Sequence, residues 1–191
     1  ALIRETQTPD IARATALSAM GPYLNGHTID VLPLALSDDD PLVRLAAVEI
    51  LDRLPLNIRV RLAFPMLEDS VRAVRIEAAQ LLAAIPAGEL PDEQRAQLDK
   101  AIDEYIESQL AMAERPGAQT NLGNLYAARG EADKAVSAYI AASTIEPNYI
   151  PAYVNLADLY RSMGDETAAE KVLRQASGSI PDNGDLHYAL G

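Results

Sequence analysis

Few residues of this chain could do chemistry, and they are scattered. It has two histidines, His27 and His187, and no cysteine. His27 stands in Asn25-Gly26-His27-Thr28, which reads as a loop leading into a helix, and His187 stands far downstream. Histidines so separated, with no His-Glu-x-x-His run, do not make a metal site. Without cysteine, disulfides, thiolate zinc sites and covalent c-type haem attachment are excluded within the chain. Asp38-Asp39-Asp40 could chelate a hard cation. A calcium loop, however, needs further oxygen ligands and a closing Glu at defined spacing, and these do not follow. No phosphate-cradling Gly-rich loop and no Gly-x-Ser-x-Gly elbow occurs. The expectation is a chain with no catalytic residue, no metal and no cofactor.

The charged residues that do recur are evenly spaced. Arg13, Arg44 and Arg75 lie 31 residues apart, and Asp38 and Asp69 each stand six residues before an arginine of that set, where the first unit has Gln7. An arginine patch for anionic ligands would not require a matched acid at fixed spacing, so a structural role for these residues is the reading. Apolar positions keep the same step: Ala12, Val43 and Val74; Ala16, Ala47 and Ala78; Met20, Leu51 and Leu82. Each block reads as a short helix, an acidic turn and a longer helix. The expected elements are Ile29–Leu36, a turn at Ser37–Pro41 and Leu42–Leu54, then Ile58–Leu67, a turn at Glu68–Ser70 and Val71–Ile85.

The second half repeats at 34 residues instead. Asn121 matches Asn155, Leu122 matches Leu156, Leu125-Tyr126 matches Leu159-Tyr160 and Gly130 matches Gly164. Ala135, Ala142 and Pro147 match Ala169, Ala176 and Pro181. Leu122, Leu125 and Tyr126 share one helix face, Gly130 breaks that helix, and Ala135, Ala138 and Ala142 line the next, where small side chains let two helices approach closely. Pro147 ends the pair. Between the halves, Pro91 and Asp92-Glu93 suit a helix start. Leu98, Ile102, Tyr105, Ile106, Gln109 and Leu110 form a stripe at helical spacing, so residues 89–115 read as one long connecting helix ending near Pro116.

These residues carry two resemblances. The pattern Leu122, Gly123, Tyr126, Ala135, Tyr139, Ala142, Pro147, repeated as Leu156, Ala157, Tyr160, Ala169, Leu173, Ala176, Pro181, resembles the tetratricopeptide repeat family. Residues 116–149 and 150–183 are then two full repeats, and 184–191 opens a third. The family's early aromatic is Tyr153 in the second repeat but Gln119 in the first. The Val-Arg-x-x-Ala core with its upstream Asp, in residues 1–88, resembles HEAT repeats, whose Asp and Arg bond along the stack; the resemblance implies such a structural ladder through Asp38, Arg44, Asp69 and Arg75. Together they imply an all-α, right-handed α-solenoid of antiparallel helix pairs. The tetratricopeptide resemblance implies a partner groove lined by the first helix of each repeat, at Thr120, Asn124, Val154, Asn155, Asp158 and Arg161. Asn124 and Asn155 match asparagines that hold an extended peptide backbone in some relatives. The lysines with which other relatives clamp a C-terminal carboxylate are replaced here by Thr120 and Pro151, which argues against that specificity.

The expected function is therefore a scaffold that binds a protein or peptide through its concave face. The net charge of −12 is spread along the chain and peaks in residues 89–115, with three basic and eight acidic residues. Such a surface repels a phosphate backbone, so nucleic acid is not an expected partner. No apolar run approaches a membrane span, so no insertion is expected. Starting at Ala1 rather than Met, the chain reads as a fragment or processed form. The domain order, with the run Ile11-Ala-Arg-Ala-Thr-Ala-Leu17, is also similar to C-terminal extensions of bacterial multihaem c-type cytochromes. That resemblance implies a docking arm of a larger enzyme, and a periplasmic location. Asp185–Gly191, as half a repeat, is expected to leave Tyr188 and Leu190 uncovered and so to fray or self-associate.

Overall fold

The structure, a computed structural model, describes residues 8–23, 29–180 and 184–190. Among the described residues there are helices and no strand: α1 (Asp10–Met20), α2 (Leu32–Leu36), α3 (Pro41–Ile50), α4 (Leu56–Ala63), α5 (Arg72–Leu82), α6 (Asp92–Leu110), α7 (Pro116–Ala128), α8 (Ala132–Ile145), α9 (Ile150–Ser162), α10 (Glu166–Ser179) and α11 (Gly184–Leu190). The all-α solenoid class is what the structure shows. The chain divides into two compact units, residues 1–105 and 106–191, and the division falls inside α6.

In the first unit the 31-residue step is a step of burial. Val43, Val74, Ala47, Ala78, Leu51 and Leu82 are fully buried, while Ala12, Ala16 and Met20 of the first block are half-buried. Several expected helices are shorter than the periodicity suggests. The one expected over Ile58–Leu67 is an α-helix only to Ala63 and continues as a 3₁₀ turn, Phe64–Glu68. Pro65 explains this, since it has no N–H to donate and its ring clashes one turn back. Leu42–Leu54 likewise becomes α3 followed by a 3₁₀ turn at Leu51–Arg53. Val71–Ile85 becomes α5, ending at Leu82. The long helix stops at Leu110 and gives way to turns over residues 111–114, and Arg115 is extended (φ −98°, ψ 130°) as the residue ahead of Pro116. Of its expected stripe, Leu98, Ile102, Tyr105 and Gln109 are buried, but Leu110 is half exposed.

A chain of ion pairs runs through the first unit. Arg13 donates to both Asp10 and Asp38. Arg44 Nε donates to Asp69 Oδ2 at 2.7 Å, and Arg75 Nε donates to Glu104 Oε2 at 2.9 Å. Each aspartate faces both ways. Its carboxylate also accepts a backbone N–H two residues on, from Asp40 (3.0 Å) or Val71 (2.8 Å). Its carbonyl accepts from the arginine of its own block, Arg44 Nη1 at 2.8 Å or Arg75 Nη1 at 2.7 Å. So Asp38, Arg44, Asp69 and Arg75 stand in one network. Its outer partners, Arg13 and Glu104, extend it at the two ends. Burial works to raise the Asp69 pKa, but the bonds from Arg44 and the Val71 N–H, with the charges of Arg44 and Arg75, outweigh it and hold the carboxyl below its ordinary value of 3.8.

In the second unit α7 packs on α8, α9 on α10, and α8 on α9. Ala135, Ala142, Ala157 and Ala169 are fully buried at these crossings, and Ala176 is nearly so. Both pairs turn the same way. Gly130 and Gly164 take φ +73° and +80°, and the next residue donates back across the turn, Glu131 N to Tyr126 O at 2.8 Å and Asp165 N to Tyr160 O at 2.9 Å. This is a Schellman-type helix end, which glycine enters without strain. The pairs differ at one contact. A methyl on Gly123 would sit 2.4 Å from Tyr139 Cε1, whereas the matching positions hold Ala157 and Leu173, both fully buried. A ring in one repeat takes the space of a methyl plus a shorter side chain in the other. At the end of the chain Leu186 is buried among Ala157, Ala169, Leu173 and Ala176, and Leu190 packs against them. Leu190 is thus not left bare as expected, while Tyr188 is 91% exposed.

Two consequences can be measured by urea unfolding. Gly123→Ala is expected to destabilise by about 1–3 kcal/mol through overpacking. In a Tyr139→Leu background the same change becomes neutral or stabilising, because alanine is the better helix former by about 1 kcal/mol; equal costs in both backgrounds would disprove the contact. Asp69→Asn keeps an acceptor for the Val71 N–H but removes the charge facing Arg44. It is expected to cost about 3 kcal/mol at neutral pH, as for a buried pair deprived of one partner. Because the folded-state pKa is depressed, the aspartate's contribution is present above about pH 4 and is lost as pH falls through the folded value. The gap between the two proteins should therefore close in acid, and a gap unchanged at pH 3 would rule the charge out.

Candidate functional site

The expected groove residues come from the first helices α7 and α9. Proline within the first turn starts each, Pro116 and Pro151, where the missing N–H costs nothing. Helical spacing then places Val154, Asn155, Asp158 and Arg161 along one side of α9. All four line a cleft of ≈ 490 Å³, together with Ile150, Pro151, Tyr188 and Ala189. The floor is apolar, and the charged groups on its wall are Asp158 and Arg161.

Thr120 does not belong to it. It is only 5% exposed, and its Oγ1 finds no hydrogen-bond partner among the described residues. Thr120 lies in α7 three residues before Gly123, which is buried one turn further on, so its side chain is covered by the packing of that helix. Asn124, one turn after Thr120, is exposed and is tied to its neighbours. Its Oδ1 accepts from the Tyr139 hydroxyl at 2.8 Å and from Asn155 Nδ2 at 2.9 Å. With both lone pairs taken, Asn124 is left with N–H groups to offer, and Asn155 with its Oδ1. Neither of those atoms has a partner among the described residues. The Tyr139 phenol sits in this arrangement with its pKa pushed up to about 12, by burial first and then by the charge of Asp158.

Arg161 is engaged rather than free. Its guanidinium donates to Ala189 O in α11 at 2.7 Å, to Glu166 Oε1 at 3.3 Å and to Asp158 Oδ1 at 3.4 Å. Tyr188 and Ala189 were not expected in the site. The 34-residue step would have found them, since they follow Val154 and Asn155 by one repeat. Tyr139 was expected only as packing; no spacing rule announces that its hydroxyl orients Asn124. His27 lies outside the described residues, as does the His187 side chain. Among the described residues no group of three or more histidines, cysteines or carboxylates could hold a metal ion. No described helix is long and apolar enough to cross a membrane.

Comparison with known proteins agrees with this half of the chain. Residues 126–191 match the family model of the tetratricopeptide repeat. The match starts in α7 and covers α8 to α11, and so includes α9 and α11, which line the cleft. Repeats of this family generally act as non-enzymatic scaffolds for protein–protein interaction. No curated protein matches the chain.

The bond pattern separates two asparagines that the sequence treats alike. Asn124→Ala strips the buried Tyr139 hydroxyl of its acceptor and is expected to lower stability by about 1–2 kcal/mol. Asn155→Ala removes one donor at the surface and is expected to leave the melting temperature within about half a kcal/mol equivalent of wild type. Thermal unfolding of both variants checks this, and similar losses for the two would contradict the assignment of Tyr139 to Asn124.

Proposed function

We propose that this chain is a non-catalytic scaffold that binds a partner protein by an extended peptide segment laid in the cleft between α9 and α11. The supporting observation is the fixed amide pair beside and within it. Asn124 presents donors and Asn155 an acceptor, oriented by Tyr139 and not by the ligand. A peptide backbone offers the complementary carbonyl and N–H at each residue. The apolar lining of Ile150, Pro151 and Val154 would take a side chain of the bound segment. Side chains already held in position need less ordering on binding, which favours affinity. Arg161 is committed to Ala189, Glu166 and Asp158, and with no lysine at Thr120 or Pro151 a C-terminal carboxylate has no strong partner here.

For the rest of the chain we propose three functional segments. Residues 1–88 are HEAT-like units whose ladder through Asp38, Arg44, Asp69 and Arg75 is structural; 89–115 is a connecting segment; 116–191 is the binding segment. The arginines of the ladder are engaged by Asp69, Glu104 and backbone carbonyls, which supports a structural role over anion binding.

The test is capture of partners by the full-length protein, followed by repetition with Asn155→Ala. Capture of a specific partner is expected to fall about tenfold while the melting temperature stays put. Undiminished capture by Asn155→Ala would remove the cleft from the interface.

A further inference from the structure

The cleft also carries information about the chemistry of what enters it. Its floor is aliphatic, from Ile150, Pro151 and Val154, and Tyr188 stands at its edge with 91% of its surface free. The charged groups of its lining are Asp158 and Arg161. The Asp158 side chain is 64% exposed, whereas that of Arg161 is 32% exposed and is held by three acceptors. Glu166, one of those acceptors, brings a second carboxylate beside the single guanidinium. Two carboxylates against one guanidinium leave the polar end of the cleft negative. The surroundings reinforce this, since residues 106–191 carry six basic and eleven acidic residues.

We infer that the cleft accepts a lysine or arginine side chain of the bound segment. The inference rests on the peptide-binding reading above and specifies it. The aliphatic stem of such a side chain lies along Ile150, Pro151 and Val154, as long cationic side chains do on apolar surfaces. Its cationic head reaches the exposed Asp158 carboxylate, and the Tyr188 ring offers a face to the same charge. A glutamate in that place would meet Asp158 and Glu166, and would find Arg161 already occupied. An uncharged aliphatic side chain would fit the floor but bring no charge to the Asp158 carboxylate, whose bond from Arg161 is long, at 3.4 Å. The occupant is thus a partner segment with a basic residue set among apolar ones, and its backbone lies against the amides of Asn124 and Asn155.

Three fluorescein-labelled short peptides, capped at both ends and identical except for a central Lys, Gln or Glu in an Ala/Leu framework, test this by fluorescence anisotropy with the whole chain. The Lys peptide is expected to bind about three- to five-fold more tightly than the Gln peptide, the size of an exposed ion pair. The Glu peptide is expected to bind more weakly than both. Raising the salt concentration should shrink these differences. Asp158→Asn should abolish the preference for Lys over Gln, read as the ratio of the two affinities in that variant. Asn155→Ala should weaken all three peptides together. A Glu peptide that binds as well as the Lys peptide, or a preference for Lys that survives in Asp158→Asn, overturns the inference and leaves the cleft as a neutral peptide site. Failure of all three peptides to bind at any concentration overturns the peptide-binding reading itself, and this inference with it.

Discussion

Everything in this chain depends on helices approaching one another closely enough to exclude water, and small residues make that possible. Ala47 and Ala78 in the first unit, and Ala135, Ala142, Ala169 and Ala176 in the second, are all fully or almost fully buried. They recur because each helix pair must repeat the same crossing. An isolated pair cannot bury its apolar face, so each relies on the next for the rest of its core. The contact between Gly123 and Tyr139 shows the tolerance of this arrangement. Where the second helix brings a ring, the first gives up a methyl, and the matching crossing is filled by Ala157 and Leu173. Interiors are packed densely enough that such exchanges must be made in pairs.

Close packing leaves polar side chains few places to go, and the two units resolve this differently. In the first, arginines lie along one line and meet carboxylates, and two of these, Asp38 and Asp69, also accept a backbone N–H two residues on. Arg13, Asp38, Arg44, Asp69 and Arg75 each have at least two partners, which offsets the loss of water. Among the described residues the second unit has no such line. Its comparable network is neutral, running from Tyr139 to Asn124 to Asn155, and it ends at the surface with hydrogen-bonding capacity left over. The first network runs from Asp10 to Glu104 between groups of the packed helices, with Arg13 Nε left without a hydrogen-bond partner among the described residues. The second stops at a cleft, and that difference supports assigning binding to the second unit.

α11 belongs to the core and to the cleft at once. Leu186 completes the core of α9 and α10, and Leu190 packs beside it. The same short helix sends its Ala189 carbonyl to Arg161 and leaves Tyr188 in the open. α11 therefore both completes this core and lines the cleft opposite α9, and its Ala189 carbonyl occupies part of the Arg161 guanidinium.

Periodicity alone determined the helical class, both repeat lengths, the buried alanines and the spacing of Arg13, Arg44 and Arg75, because a repeated crossing leaves the same small or apolar residue at each return. It also placed Val154, Asn155, Asp158 and Arg161 on one helix side, since 3.6 residues per turn is a property of the backbone and not of the neighbours. What it could not decide was which side each helix turns inward when polar residues fall near the boundary. Thr120 and Asn124 are one turn apart in the same helix, and only the packing of α7 buries the first and exposes the second. Pairing was equally out of reach. Nothing in the spacing says that Arg75 meets Glu104, that the Tyr139 hydroxyl orients Asn124, or that Ala189 occupies Arg161. Those are contacts between atoms distant in sequence. Their partners are set by the few ångströms through which one helix shifts against another, and that shift is decided when all the side chains at the crossing are packed at once.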